Sequence, residues 1–392
     1  MKWIWRNTTQ VGFGENAVVD HIAKFIKPHS KVICTFGGGS IDQNGARADV
    51  TAALTKLQCD VKWEGGIPPN PEFDRLMEIV QVVRDFQPDW LLSVGGGSVL
   101  DGTKFIAAAA KFEPGRDAWC ILSEGAFPPD AFQIGAVLTL PATGSEWNNG
   151  FVISRRSTKE KLASNNITTY PKFSLLDPKY TMTLPARQLR NGLYDAMCHC
   201  IDQFLTSEVV PMMDNFWMSV MKELVDISIE LLKPNSSLEL HARLIQAASF
   251  GLNQIFTLGK QSCWAIHMVG HQLTAQYDID HGATLAIVTP FMLEELFEER
   301  KYLMARASEF IFNNREGTED EKARKFIADI RAWIKAIGQP AKVSEWPGAK
   351  INENDVATVT QMVMQSVGNG PFGYNGQVTQ QIVENILRKV IA

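Results

Sequence analysis

An α/β N-terminal domain built on a parallel sheet, followed by an all-α C-terminal domain, is the fold class that this sequence predicts. Three observations predict it. Two buried, β-branched runs each end in three glycines and a serine. Helical patterns alternate with those runs, which is the syntax of βαβ units. Near residue 185 the strand-like runs give way to apolar residues at helical spacing.

Lys31-Val32-Ile33-Cys34-Thr35-Phe36 reads as a strand running into Gly37-Gly38-Gly39-Ser40. Pro71 to Phe86 reads as an amphipathic helix, and Trp90-Leu91-Leu92-Ser93-Val94 as a second buried strand running into Gly95-Gly96-Gly97-Ser98. Leu100 to Ala110 consists of good helix formers. Further strands are expected at Ala136–Leu140, Phe151–Ser154 and Phe173–Asp177. The boundary lies between Lys179 and Pro185, where a threonine two residues before a proline marks a helix start. Beyond it Leu189, Leu193, Met197, Ile201 and Leu205 recur at helical spacing. The expected domains are therefore 1–184 and 185–392. No internal repeat is visible, and Asn313 to Lys322 reads as a loop or helix start rather than a linker.

The chain's 392 residues suffice for two domains. With 45% hydrophobic and 21% charged residues it buries a sizeable core. A formal net charge of -5 gives no electrostatic reason to bind nucleic acid, so small-molecule chemistry is expected. Met1-Lys2-Trp3-Ile4-Trp5-Arg6-Asn7 breaks into polar residues before a secretory core forms, and no run approaches a membrane span, so a cytoplasmic location is expected. The six cysteines form no C-x-x-C pair, and most are expected to be small buried hydrophobes.

Of the seven histidines, His199, His267, His271 and His281 cluster in one stretch, while His21, His29 and His241 are scattered. Asp195 and His199 are four apart on an expected helix, which puts both side chains on one face about a turn apart. His267 and His271 repeat that spacing, and His281 falls at an expected helix exit, after Asp280 and before Gly282. One such pair is equally well a core hydrogen bond. Two pairs and His281 together point to a metal, and a carboxylate with imidazoles suits Zn²⁺ or Fe²⁺ rather than Mg²⁺ or Ca²⁺. Met268 stands where an H-E-x-x-H metalloprotease keeps its glutamate, which disfavours a hydrolase.

The glycine turns expose backbone N–H groups at strand ends, where a pyrophosphate binds. Neither is the dinucleotide fingerprint, because Leu100 and Asp42 replace the third glycine. Gly12-x-Gly14 follows no clear strand, and no Walker A sequence occurs. Leu140-Pro141-Ala142-Thr143-Gly144-Ser145-Glu146 is a ligand loop or a plain strand-ending turn.

Together, Gly95–Asp101, Thr139–Glu146, Gly192–His199, Trp264–His271 and Asp280–Gly282 resemble the iron-containing alcohol dehydrogenase family, in particular its branch of butanol dehydrogenases and NADPH-dependent aldehyde reductases. The likeness runs over nearly the whole chain. It implies a Rossmann-like dinucleotide-binding N-terminal domain and a helical metal-binding domain in a dehydroquinate synthase-like architecture, with the active site in the cleft between them, and a homodimer. It implies hydride transfer between NADP(H) and an aldehyde or primary alcohol, with reduction favoured and one Zn²⁺ or Fe²⁺ as Lewis acid. By that resemblance the metal ligands fall on Asp195, His199, His267 and His281, and His271 sits in the cleft near the nicotinamide rather than on the metal. The proton then comes through water or through His271, whose imidazole can relay protons near neutral pH. Gly96, Gly97 and Ser98 would hold the pyrophosphate. Asp101, Thr139, Thr143 and Lys161 would line the cofactor groove, and Tyr180 would lie near the adenine.

The short Ala142-Thr143-Gly144-Ser145-Glu146 loop resembles the butanol dehydrogenase branch. NAD-preferring relatives carry an acid where this chain has Gly38-Gly39-Ser40, so Ser40 is free to donate to a 2′-phosphate and NADP is favoured. Relatives often follow that serine with lysines, whereas here Asp42 and Gln43 follow. Trp147, Asn148, Asn149 and Phe151 read either as a substrate wall or as aromatic core packing. A lyase or polyol dehydrogenase of the dehydroquinate-synthase-like group would need basic pocket residues that the apolar Trp147 neighbourhood does not supply. A noncatalytic metal- or nucleotide-binding protein is separated from both by whether NADPH is consumed.

Overall fold

A computed structural model of the protein describes residues 2–391, so the outer ends of the expected domains, residues 1 and 392, lie outside the described residues. Among these, eight strands form: β1 (Gln10–Phe13), β2 (Lys31–Thr35), β3 (Asp60–Glu64), β4 (Trp90–Gly96), β5 (Gln133–Leu140), β6 (Gly150–Arg155), β7 (Glu160–Asn165) and β8 (Phe173–Leu176). Six of them make a sheet in the order β1-β8-β5-β4-β2-β3, and every pair in it is parallel. β6 and β7 form a separate antiparallel hairpin.

Alternation along the strands divides the core into two layers. Ile33, Leu91, Ile134 and Ala136 face one layer, under the helices Phe73–Phe86 and Gly97–Ala109. Val32, Cys34, Leu92, Val94 and Val137 face the other, where Val50 and Leu54 of the Ala46–Lys56 helix pack. Burial on both faces is why β2 and β4 read as continuous apolar runs. The Phe73–Phe86 helix buries Leu76, Ile79, Val80 and Val83 at helical spacing, and the Glu72 side chain caps it by accepting from the Asp74 N–H.

After β2 the chain steps outward to β3, then returns to the far side of β2 to lay down β4 and β5. The sheet order thus reverses between β2 and β4. In open parallel sheets, ligands bind at the carboxyl ends of the strands flanking such a reversal. Both glycine turns lie there.

The chain divides into two compact units. One comprises Arg6–Pro185 together with Ser236–Asn253, so the Leu238–Gly251 helix packs with the α/β unit although it lies far along the chain. Its His241 Nδ1 is 2.8 Å from Thr181 Oγ1. The other unit comprises residues 2–5, Ala186–Asn235 and 254–391, and its regular structure among the described residues is helical. Thr318 and Glu321 form a capping box that starts the Glu319–Ala336 helix, so the polar stretch there is a helix start. Among the described residues no helix is long and apolar enough to cross a membrane. All six cysteines are free, and four of them (Cys34, Cys198, Cys200 and Cys263) are buried.

Candidate metal and cofactor sites

The Ala186–Phe204 helix carries Asp195 and His199 one turn apart on a buried face. His267 comes from the Ala265–Tyr277 helix. His281 is the first residue of the next helix, His281–Glu295, rather than a residue in the exit of the preceding one. Three imidazole nitrogens converge on one carboxylate oxygen: His199 Nδ1 at 3.7 Å, His267 Nε2 at 3.8 Å and His281 Nε2 at 3.7 Å from Asp195 Oδ1. Donors about 2.1 Å from a tetrahedral ion lie roughly 3.4 Å apart, so each imidazole stands near co-ligand distance of Asp195, and Asp195, His267 and His281 offer ligand atoms all within 4.8 Å of one another. His199 Nδ1 and His267 Nε2 are buried with no hydrogen-bond partner among the described residues. A buried acceptor left unmatched costs about 1–3 kcal/mol, which a cation would offset. The donor set of one oxygen and three nitrogens fits Zn²⁺ or Fe²⁺.

Local chain features hold these groups. Arg187 grips Asp280 through two hydrogen bonds, of 2.6 and 2.7 Å, and Asn191 donates to the same carboxylate at 2.6 Å, fixing the turn before His281. Gly282 lies so close to the helix backbone that an added Cβ would stand 2.5 Å from the Asn191 carbonyl oxygen. Trp264 adopts a left-handed φ of 61°, uncommon for a bulky residue, and its ring lies against those of His199 and His267.

Asp202 was not singled out by sequence reasoning. Its carboxylate accepts from His267 Nδ1 at 2.8 Å and from the His267 backbone N–H at 3.1 Å. A proton fixed on Nδ1 leaves the Nε2 lone pair directed at Asp195. The available signal was its position seven residues after Asp195, two turns along the same helix face. Cys198 is near enough to form a second acidic cluster with Asp202 and His267. Burial pushes the Cys198 thiol up to about 11, so it stays protonated and is a poor ligand. Burial likewise pushes His199 down to about 4, keeping its imidazole neutral. Burial also opposes charge on His267, but the carboxylates of Asp195 and Asp202 outweigh it and hold the metal-free imidazole well above its ordinary value, so a cation binding at Nε2 would displace a proton. His271 is buried, with its ring centroid 4.9 Å from that of His281 and 6.1 Å from that of His267.

In the α/β unit, Gly96 and Gly97 pass from β4 into the Gly97–Ala109 helix. A Cβ on Gly96 would lie 2.9 Å from Leu140 Cβ, and one on Gly97 would collide with Thr143. The turn therefore packs against the loop after β5, bringing Gly96, Gly97 and Ser98 together with Thr143. Thr139 is buried on β5 itself. Gly38, Gly39 and Ser40 are exposed after β2, with no atom within 4 Å of a Cβ added at either glycine. Lys161 donates to Asn70 at 2.8 Å. Tyr180 is buried in the core and donates to Asp49 at 2.8 Å.

Asp101 is held by the protein: its carboxylate accepts from Ser145 Oγ at 2.6 Å and from the Val152 N–H at 3.0 Å. Beside it Lys104, fully buried, donates to the Ser145 carbonyl (2.8 Å), Ser145 Oγ (2.7 Å), Asn148 Oδ1 (3.2 Å) and the Gly150 carbonyl (2.8 Å). Glu146 accepts from Ser249. Burial raises the carboxyls of Asp101 and Glu146, against the pull of the Lys104 ammonium. Burial pushes Lys104 down to about 8, against the pull of the same two carboxylates. The signal for Lys104 was a lone charge at the head of Phe105-Ile106-Ala107-Ala108-Ala109. Phe151 lies in the core, and Trp147 packs edge-on against Phe250.

The sequence matches the family described as iron-containing alcohol dehydrogenase over residues 8–178, and its C-terminal counterpart over residues 191–391. It is 39% identical over 340 residues to the NADPH-dependent aldehyde reductase YqhD of Escherichia coli, covering 86% of this chain and 87% of that protein. It is 32% identical over 386 residues to the probable NADH-dependent butanol dehydrogenase 1 of Bacillus subtilis, covering 97% of each. The crystal structure of YqhD from Escherichia coli K-12 superposes with a TM-score of 0.94 at 36% identity, covering 99% of this chain and 98% of that one.

Proposed function

From the premise that this chain belongs to the iron-containing alcohol dehydrogenase family, we propose that Asp195, His199, His267 and His281 hold the divalent cation of a metal-dependent oxidoreductase acting between NADP(H) and an aldehyde or primary alcohol. The convergence of three imidazole nitrogens on Asp195 Oδ1 is the observation that carries this reading. The ion is Zn²⁺ or Fe²⁺, aldehyde reduction is the favoured direction, and the protein works as a cytoplasmic homodimer. Watching NADPH absorbance at ~340 nm with a short aldehyde and added Zn²⁺ or Fe²⁺ tests it; no consumption with either ion favours a noncatalytic binding protein.

When bound, the cation supplies Lewis-acid polarisation of a carbonyl oxygen and the nicotinamide supplies or accepts hydride. The chain's own residues supply position and protons. Asp202 orients His267 so that one nitrogen is always available as a ligand. The N–H groups of Gly96, Gly97 and Ser98 hold the pyrophosphate, with Thr139, Thr143, Asp101 and Lys161 bordering the groove and Tyr180 supporting its adenine end. Gly38, Gly39 and Ser40 lie beside the adenosine ribose. His271, next to His281 but outside the ligand set, passes a proton between substrate oxygen and solvent.

Two results are expected. Asp202→Asn weakens metal affinity roughly 10- to 100-fold, and excess metal restores turnover; metal titration of the purified variant reads it, and unchanged affinity removes the role. His271→Ala lowers kcat by about 10²-fold near neutral pH with metal content preserved. A pH–rate profile identical to wild type discards the relay.

A further inference from the structure

Asp42 and Arg47 follow the exposed turn after β2. Phe36, immediately before Gly37, rests its ring on Gly65, where a Cβ would collide with it. Trp63 on β3 meets that ring at 72°, with centroids 5.9 Å apart. The guanidinium carbon of Arg47 sits in the corner these rings make, 4.3 Å from one centroid and 4.4 Å from the other. Arg47 forms an ion pair with Asp42, Nε standing 2.5 Å from Oδ1, and the two terminal nitrogens of the fork point beyond that pair as further donors. Aromatic packing pre-orients a planar cation, so little side-chain freedom is lost when it binds an anion. The Arg47 side chain keeps 27% of its surface exposed. Arg75, also near Gly65, is already engaged by the Gly65 carbonyl and Glu78.

With the pyrophosphate at the end of β4, the adenosine ribose falls at the end of the neighbouring strand β2, beside Gly38, Gly39 and Ser40. In doubly wound sheets an acid there takes the ribose hydroxyls, and an arginine accommodates a 2′-phosphate. Asp42 by itself would repel that phosphate. We propose that Arg47, stacked on Phe36 and Trp63, neutralises Asp42 and binds the 2′-phosphate of NADP(H), which makes it the residue that sets nucleotide preference in this chain. This rests on the cofactor reading above and names the group responsible for it.

The test is direct titration of the metal-loaded full chain with NADPH, NADH, adenosine 2′,5′-bisphosphate and AMP, followed by nucleotide fluorescence or calorimetry. Arg47→Gln is expected to weaken NADPH and the bisphosphate roughly 10- to 100-fold while NADH and AMP stay within about twofold. Arg47→Lys is expected to retain part of the preference, and Asp42→Asn in the Arg47→Gln background to recover part of the NADPH affinity. Arg47→Gln losing NADPH and NADH in equal proportion, or losing neither, overturns the role of Arg47 while the cofactor reading stands. Wild-type protein that binds NADPH and NADH equally overturns both, and wild-type protein that binds neither overturns the functional reading itself.

Discussion

His267→Ala is expected to lower bound metal and kcat/KM together, the latter by about 10³-fold or more. Lewis-acid stabilisation of developing charge on oxygen amounts to several kcal/mol, and each ~1.4 kcal/mol is a factor of ten in rate. The imidazole it removes is buried, faces Asp195 at 3.8 Å and is oriented by Asp202 at 2.8 Å. Elemental analysis beside steady-state kinetics reads both quantities. Excess metal should not restore this variant, in contrast to Asp202→Asn, where the ligands survive and only their orientation is lost. An active His267→Ala protein with undiminished metal would refute the ligand assignment.

Lys104→Met is expected to destabilise the α/β unit by about 3–5 kcal/mol, the usual cost of removing one partner from a buried charge network. Its ammonium serves four acceptors, and Asp101 and Glu146 lie in the same buried region. Methionine matches the shape but not the charge, leaving those acceptors desolvated. The unfolding temperature should fall by roughly 10 °C, followed by circular dichroism. Because Ser145 and Asn148 anchor the loop that carries Thr143, nucleotide affinity should fall in the same variant. An unchanged melting temperature would show that water replaces the ammonium.

The strands the sequence displayed were chiefly those buried on both faces, together with the hairpin strand β6, whose Phe151 and Ile153 are buried on one face. β2 and β4 are continuous apolar runs because helices cover each side, and their glycine turns mark the carboxyl ends at the reversal of strand order. β3, with Asp60, Lys62 and Glu64, and the hairpin strand β7, with Glu160 and Lys161, were not legible. An edge strand or hairpin with open faces carries polar residues and loses the apolar signal. β1, four residues with an exposed Phe13, is an edge strand of the same kind.

The sequence by itself determined the spacing of Asp195 and His199, the clustering of His267, His271 and His281, the positions of both glycine turns, and hence the class of chemistry, because helix periodicity and strand-end turns are local properties of the chain. Tertiary structure alone decided which atoms meet: that Asp202 polarises His267, that Arg187 fixes the turn before His281, that Lys104 binds the loop after β5, and that Arg47 stacks on Phe36 and Trp63. Those contacts join residues up to 93 positions apart. No local periodicity encodes such distances; they follow from how buried faces pack, and burial is what makes each polar contact specific.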